Sequence, residues 1–191
     1  MVLPITAYGH PVLKKRAEEI DKNYPDLQKL IEDMFETMYE TVGVGLAAPQ
    51  VNRSIRLFIV DATPYAEEDK HAENFKKVFI NPEITEENGE EDLFKESCLS
   101  LPNLSEYVSR QPKIRIRYMD EDFNEHEEEY DGMVARIIQH EYDHLEGILY
   151  VDRLSNFTRT LLKRKLKDIE TGKIDPPYKM LFANKKSKIK T

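Results

Sequence analysis

Apolar residues recur along the chain at two spacings, and each spacing marks a different kind of element. After Pro25-Asp26, the residues Leu27, Leu30, Ile31, Met34, Phe35 and Met38 fall at intervals of three and four, which gathers them on one face of a helix. Gly43 follows and ends the run, as a glycine past a helix C-terminus commonly does. The middle of the chain changes period. Residues 55–60 form a short apolar, β-branched run, and Val78-Phe79-Ile80 stops at Asn81-Pro82, a turn signal. Residues 113–119 alternate with period two, which suits a half-buried strand. Residues 62–76, rich in Glu, Asp and Lys, read as an exposed loop. Helical spacing returns from about Met133 to Leu145, where Met133, Val134, Ile137, Ile138 and Leu145 are apolar and Gly147 lies just beyond. A third helix starts near Ser155, carries Leu161, Leu162, Leu166 and Ile169, and stops at Gly172 and Pro176-Pro177. Strands flanked by helices and joined by long loops make an α+β fold.

Length narrows this picture to one domain. The chain has 191 residues, 40% of them hydrophobic, which is enough for a single core and too little for two. There is no repeat and no Gly/Ser linker, so residues 1–175 are read as one domain that includes the helix from about 155. Residues 176–191 are read as a basic, flexible tail. No stretch approaches the roughly 20 apolar residues that span a bilayer. Met1-Val2-Leu3-Pro4 lacks the features of a signal peptide, so a cytoplasmic protein without membrane contact is expected.

Charge adds an asymmetry. The net charge is -8, yet residues 153–191 hold 12 Lys or Arg against 3 Asp or Glu, a balance of +9. Residues 1–152 carry 16 basic and 33 acidic side chains, a balance of -17. A basic end on an acidic body suits an anionic partner such as nucleic acid, although a solvated helix with a loose end explains the same numbers.

The candidate chemistry sits on the second helix. His140-Glu141-Tyr142-Asp143-His144 follows the pattern His-Glu-x-x-His, and residues four apart share a helix face, so both imidazoles can reach one metal ion. Glu141 is one position round, where a carboxylate can move protons without joining the ligands. The residues before the motif are mostly apolar, and two imidazoles and a carboxylate on a buried helix are costly without partners. A catalytic site needs a third protein ligand. The protease extension His-x-x-Gly-x-x-His fails here, because Tyr150 stands at its last position. His10, His71 and His126 lie in poor contexts, which leaves Cys98 as the soft candidate. With only one cysteine, no internal disulfide is possible.

Three segments taken together are more specific. Gly43-Val44-Gly45-Leu46-Ala47-Ala48-Pro49-Gln50, then Glu96-Ser97-Cys98-Leu99-Ser100, then Gln139-His140-Glu141-Tyr142-Asp143-His144 resemble, in order, the three signatures of the peptide deformylase family. The first and third match throughout. In the second, Ser97 stands where the family has glycine, which adds a side chain beside the peptide groove.

The resemblance implies mixed and antiparallel β-sheets packed around a central metal-binding helix, with a C-terminal helix. It implies that Cys98, His140 and His144 hold the metal, usually Fe(II), with Zn(II), Ni(II) or Co(II) able to substitute. Glu141 would be the proton carrier, and the Leu99 N–H and Gln50 side-chain amide would meet the developing oxyanion. Formyl-methionyl nascent peptides would be the substrate, paired as an added strand along Gly43, Val44 and Gly45 with Ser97 beside the groove. Phe94, Glu96, Met133, Arg136, Ile137 and the His140 ring would line the methionine pocket. For the basic end, ribosomal RNA near the emerging chain would be the partner. Two other readings stand beside this one: a His-Glu-x-x-His protease or amidase with another substrate, and a protein whose metal is purely structural.

Overall fold

The helical face that follows Pro25-Asp26 is α1, Leu27–Glu40, in a computed structural model that describes residues 1–183. Leu27, Ile31, Met34 and Met38 are buried on it, and Leu30 and Phe35 pack at its margin. Its C-terminus is a Schellman motif: the Val42 N–H donates to Tyr39 O at 3.1 Å and the Gly43 N–H to Met38 O at 2.8 Å. Gly43 therefore completes the stop, but the left-handed residue is Val42, with φ 58°.

Nine strands accompany three helices among the described residues: β1 (Ile5–Thr6), β2 (Gly45–Ala47), β3 (Leu57–Asp61), β4 (Lys76–Asn88), β5 (Asp92–Cys98), β6 (Leu101–Arg110), β7 (Lys113–Met119), β8 (Glu125–Tyr130) and β9 (Met180–Leu181). Strands β2, β3, β4, β7 and β8 form an antiparallel sheet in that order, so β2 is an edge. β5 and β6 form a separate hairpin, while β1 and β9 pair in parallel. Helix α2 (Gly132–Leu145) packs across β2 and β3, and its Val134, Ala135, Ile138 and Leu145 join Phe58, Val60 and Phe79 in one core. Helix α3 (Asn156–Glu170), capped by the Ser155 side chain, packs Leu162, Leu166 and Ile169 against Leu104, Val108 and Tyr150. The outcome is α+β, with antiparallel and parallel pairings around a central helix and a C-terminal helix.

Four local expectations change. The Asn81-Pro82 signal does not end a strand; β4 runs through it with a shift of register between Ile80 and Glu83. Asn81 takes φ 48°, and its side chain accepts from Ile20 N at 3.0 Å and donates to Ile20 O at 2.7 Å. Turn chemistry here makes a β-bulge, where a residue without an N–H is tolerated. Segment 62–76 is anchored as well as exposed: it contains two 3-10 turns and buries Ala62, Ala72 and Phe75. Leu161 belongs to the solvent side of α3, at 67% exposure. Of the stretch 176–191, Met180 and Leu181 pair with Ile5 and Thr6. Residues 184–191 of that expected tail lie outside the described residues. No helix among the described residues is long and apolar enough to cross a membrane.

Candidate functional site

Two elements deliver the chemistry to one place. β5 ends at Cys98, where the hairpin register breaks between Ser97 and Cys98, and α2 runs beneath it with His140 and His144 one turn apart. The Cys98 sulfur and a ring nitrogen from each histidine all lie within 4.8 Å of one another. Cys98 Sγ is 3.3 Å from His144 Nε2. Both Cys98 and His144 are buried. Burial, then the neighbouring His140, holds the His144 pKa well below its ordinary value.

His140 is oriented from behind. Its Nδ1 lies 2.9 Å from Glu96 Oε2, and its ring stacks on Tyr150 at 6.1 Å between centroids. Burial disfavours a charge on His140, but Cys98 and Glu96 outweigh it and push its pKa well above the ordinary value. Glu96 is itself buried and held by Arg110, Nε to Oε1 at 2.7 Å and Nη2 to Oε2 at 2.9 Å, and by Arg136 Nη1 at 3.1 Å. Burial raises the Glu96 pKa, yet the hydrogen bonds from Arg110 and His140 dominate and hold it far below the usual carboxylate range. Arg110 also reaches Asp143 at 2.8 Å, and Asp143 accepts from Arg153 Nε at 2.6 Å. A carboxylate on the second nitrogen of a histidine is one of the arrangements that orient such a ring toward a metal.

Glu141 faces the other way, into the cleft. Its Oε2 is buried without a hydrogen-bond partner among the described residues, and burial pushes its pKa up to about 7. Gly45 makes room for it: a Cβ there would lie 2.5 Å from Glu141 Oε1. Gln50, on the 3-10 turn Ala48–Val51, accepts from Ala47 N at 2.8 Å through Oε1. Its Nε2 lies 3.4 Å from both Cys98 Sγ and Ser100 Oγ, so the amide is aimed at the sulfur.

The three convergent donors fit a transition-metal ion. One sulfur and two imidazoles are a borderline-soft set, and three protein ligands leave a position for substrate or water. The Glu141 oxygen beside them has no hydrogen-bond partner among the described residues. A closed structural site would need a fourth protein ligand, and no further His, Cys or carboxylate joins this cluster among the described residues.

The cleft above, about 450 Å³, gathers Gly43, Val44, Gly45, Phe94, Glu96, Ser97, Leu99, Met133, Arg136 and Ile137 with the site. Glu96 and Arg136 differ from simple apolar wall residues. The Arg136 guanidinium is tied to Glu96, to Val108 O at 3.1 Å and to Asp92, and lies 5.6 Å over the Phe94 ring. Only the stems of Glu96 and Arg136 are left for the cleft. Ser97 is exposed and paired within β5, and its φ is not positive, so a glycine is not required there. Arg110 carries no motif and escapes a reading from sequence. Its one signal is that it follows Val108 on the inward face of β6. Asp143 sits inside a recognised motif, but its role emerges only with Arg110 and Arg153 in place.

Comparison with known proteins gives one answer. A sequence model described as "Polypeptide deformylase" matches residues 2–160. The chain is 53% identical to a peptide deformylase of Christiangramia forsetii, covering 97% of this chain and 98% of that one. It is 50% identical to one of Flavobacterium psychrophilum, over 97% and 100%. Among solved structures, the peptide deformylase of Thermus thermophilus superposes with a TM-score of 0.80 at 38% identity, over 90% of this chain and 99% of that one. One from Legionella pneumophila gives 0.78 at 36%, over 93% and 100%.

Proposed function

Since the chain belongs to the polypeptide deformylase family and removes the N-terminal formyl group from nascent peptides, we propose that Cys98, His140 and His144 hold its metal ion and Glu141 carries its proton. The observation that supports this reading is the convergence of the Cys98 sulfur, from the end of β5, with two ring nitrogens of α2. The family is metal-dependent; the proposed ion is Fe(II), with Zn(II), Ni(II) or Co(II) suited to the same sulfur and nitrogen set. When bound, such an ion supplies Lewis acidity, lowering the pKa of water toward neutrality and polarising a carbonyl.

The protein's own groups do the rest. Glu141, with its carboxyl pushed up to about 7 by burial, is matched to accept a proton from water and return it to the leaving amine near neutral pH. The Leu99 N–H and the Gln50 amide meet the oxyanion that develops on the formyl oxygen, and each such donor is worth roughly 10²–10³ in rate. The peptide lies along the free edge of β2. The Val44 carbonyl is taken by the Asp61 N–H at 2.9 Å, so the antiparallel alternation turns the Gly45 N–H and C=O outward to the cleft. Phe94, Met133 and Ile137, with the stems of Glu96 and Arg136, receive the methionine side chain.

The same reading assigns a second contact. Arg159, Lys163, Arg164, Lys165 and Lys167 are exposed on α3, and this basic face meets ribosomal RNA, in keeping with action on nascent chains in the cytoplasm.

The deciding experiment combines metal analysis of protein purified without air with assay of formyl-Met-Ala-Ser against its acetyl counterpart. One transition-metal ion per chain and formate release from the first peptide alone are expected. Cys98→Ala should lose the ion, and Glu141→Ala should keep it while turnover disappears. A Cys98→Ala protein with full metal content, or an active Glu141→Ala protein, would overturn the assignment.

A further inference from the structure

The family match ends at residue 160, yet the chain after α3 returns to the cleft. Beyond Gly172 and Pro176-Pro177 it enters β9, which is fastened to β1 by Ile5 N to Lys179 O at 2.9 Å and Ala7 N to Leu181 O at 2.8 Å. Ile5 and Thr6 are fully buried, so this pairing fixes the returning strand to the core. Its approach carries Tyr178 against the hairpin turn between β5 and β6. The Tyr178 hydroxyl donates to the Leu99 carbonyl at 2.8 Å, and its half-buried ring forms part of the cleft wall beside Leu99 and Gly43.

We propose that Tyr178 is a positioning residue for deformylation, which fixes the Leu99 peptide so that its N–H faces the reacting oxygen. The proposal rests on the reading of Leu99 as an oxyanion donor given above. The orientation of that N–H is set by the peptide plane between Cys98 and Leu99. The sulfur of Cys98 is anchored on one side of this plane. On the other side the Leu99 Cα leads to the carbonyl that Tyr178 holds. One residue further, the Ser100 carbonyl accepts from the Tyr8 N–H at 2.9 Å, and the Ser100 hydroxyl lies 3.4 Å from the Gln50 amide. With Tyr178 in place both ends of the turn are tied. Without its hydroxyl the Leu99 carbonyl loses that bond, and the segment that carries the donor loses one of its anchors. A donor preorganised by the fold stabilises developing charge better than one that must be ordered during the reaction. Tyr178 stays protonated for this role, since burial and then the neighbouring Cys98 push its pKa upward.

The test is Tyr178→Phe in the metal-loaded enzyme, which keeps the ring and removes the hydroxyl. Loss of one hydrogen bond of ordinary strength should lower kcat by about fivefold. KM for formyl-Met-Ala-Ser and metal content should stay close to the parent values, and the melting temperature should fall by no more than about 2–4 °C, which one such bond accounts for. Hydrogen exchange in the segment around residues 97–103 should quicken, while that of α2 does not. A second variant separates this inference from its premise: an ester in place of the amide at Leu99, introduced with leucic acid, which deletes the N–H and retains the carbonyl. The ester should reduce kcat, and Tyr178→Phe should then add nothing further. If the ester slows turnover but Tyr178→Phe alone leaves kcat within twofold of the parent, Tyr178 has no positioning role and the donor assignment survives. If the ester is without effect, the donor assignment falls and this inference falls with it. A Tyr178→Phe loss that persists in full in the ester protein also overturns it, since the hydroxyl would then act by another route.

Discussion

Two small residues at the cleft show how far a single Cβ decides function and stability. Gly45 is needed because Glu141 occupies the place where its side chain would be: the nearest Glu141 atoms lie 2.5 to 2.8 Å from an ideal Cβ. Such an overlap cannot be absorbed by β2, whose backbone is paired to β3 through Leu46 and Ala47. In Gly45→Ala the carboxylate moves instead. A displacement of about 1 Å in a proton-transferring group costs on the order of 10²-fold. We expect kcat on formyl-Met-Ala-Ser to fall by about that factor at unchanged metal content; near-parent turnover would mean that Glu141 has room the structure does not show. Val42 presents the opposite case. It is β-branched, 91% exposed, and held at φ 58° as the left-handed residue of the α1 terminus. That conformation costs a non-glycine residue about 1–2 kcal/mol, partly offset by the entropy glycine loses on folding, about 0.5–1 kcal/mol. Val42→Gly removes almost no packing, so a net gain of about 1 kcal/mol and a rise of about 2–4 °C in Tm should follow. A lowered Tm would show that the valine side chain contributes more than its exposure suggests.

At the scale of elements, legibility followed the strength of local period. α1, α2, β7 and α3 lie close to their expected positions because each is long or strictly alternating. The His-Glu-x-x-His pattern brings its two imidazoles to one face because four residues make about one helical turn wherever the helix packs. β8, with the sequence Glu-His-Glu-Glu-Glu-Tyr, has almost no apolar signal, and reads as an acidic run. It becomes a strand through its partner: Arg115 faces Glu129 and Arg117 faces Glu127 across the β7–β8 ladder. Opposite charges directly across a sheet supply what the strand's own propensity does not, and such complementarity is non-local. The support of the site was hidden for the same reason. Glu96, Arg110 and Asp143 come from β5, β6 and α2, and nothing in any one segment announces their pairing. The last of these cross-strand devices is testable by pH. Lys77 of β4 donates to Glu128 at 2.7 Å, and Tyr118 at 2.6 Å and Tyr130 add hydroxyls. Burial opposes ionisation of Glu128, but the bond from Lys77 and the two tyrosines win, pulling its pKa down to about 2. A carboxyl whose folded pKa lies below its ordinary value of 4.5 stabilises the fold above that value, and the contribution is lost as pH falls toward 2. Glu128→Gln should therefore lie below the parent in Tm at pH 7, and the gap should close between about pH 4.5 and 2. A gap independent of pH across that window would assign the loss to packing.

On the scale of the whole molecule, charge is distributed unequally: residues 1–152 have a balance of -17 and residues 153–191 one of +9. The fold keeps α3 away from the cleft: none of its residues lines it, while its Arg159, Lys163, Arg164, Lys165 and Lys167 are exposed. Phe157 and Leu161, 73% and 67% exposed on the same helix, interleave apolar area with these cations. An acidic body repels the phosphate backbone, so a ribosome would be met with α3 foremost and the cleft left free for the emerging peptide. Binding of this kind releases counterions, with log K falling by about 0.7–0.9 per log unit of salt for each phosphate contact. Reversing three charges together, Lys163→Glu, Arg164→Glu and Lys165→Glu, should weaken co-sedimentation with ribosomes and flatten that slope by about 2. Turnover of the free tripeptide should be unchanged, since none of the three approaches the cleft. If the triple variant sediments as the parent does at every salt concentration, α3 is an ordinary solvated helix and the basic balance has no partner there. If its tripeptide turnover also falls, the helix supports the hairpin of β5 and β6 through Leu162 and Leu166 more tightly than its exposed face implies.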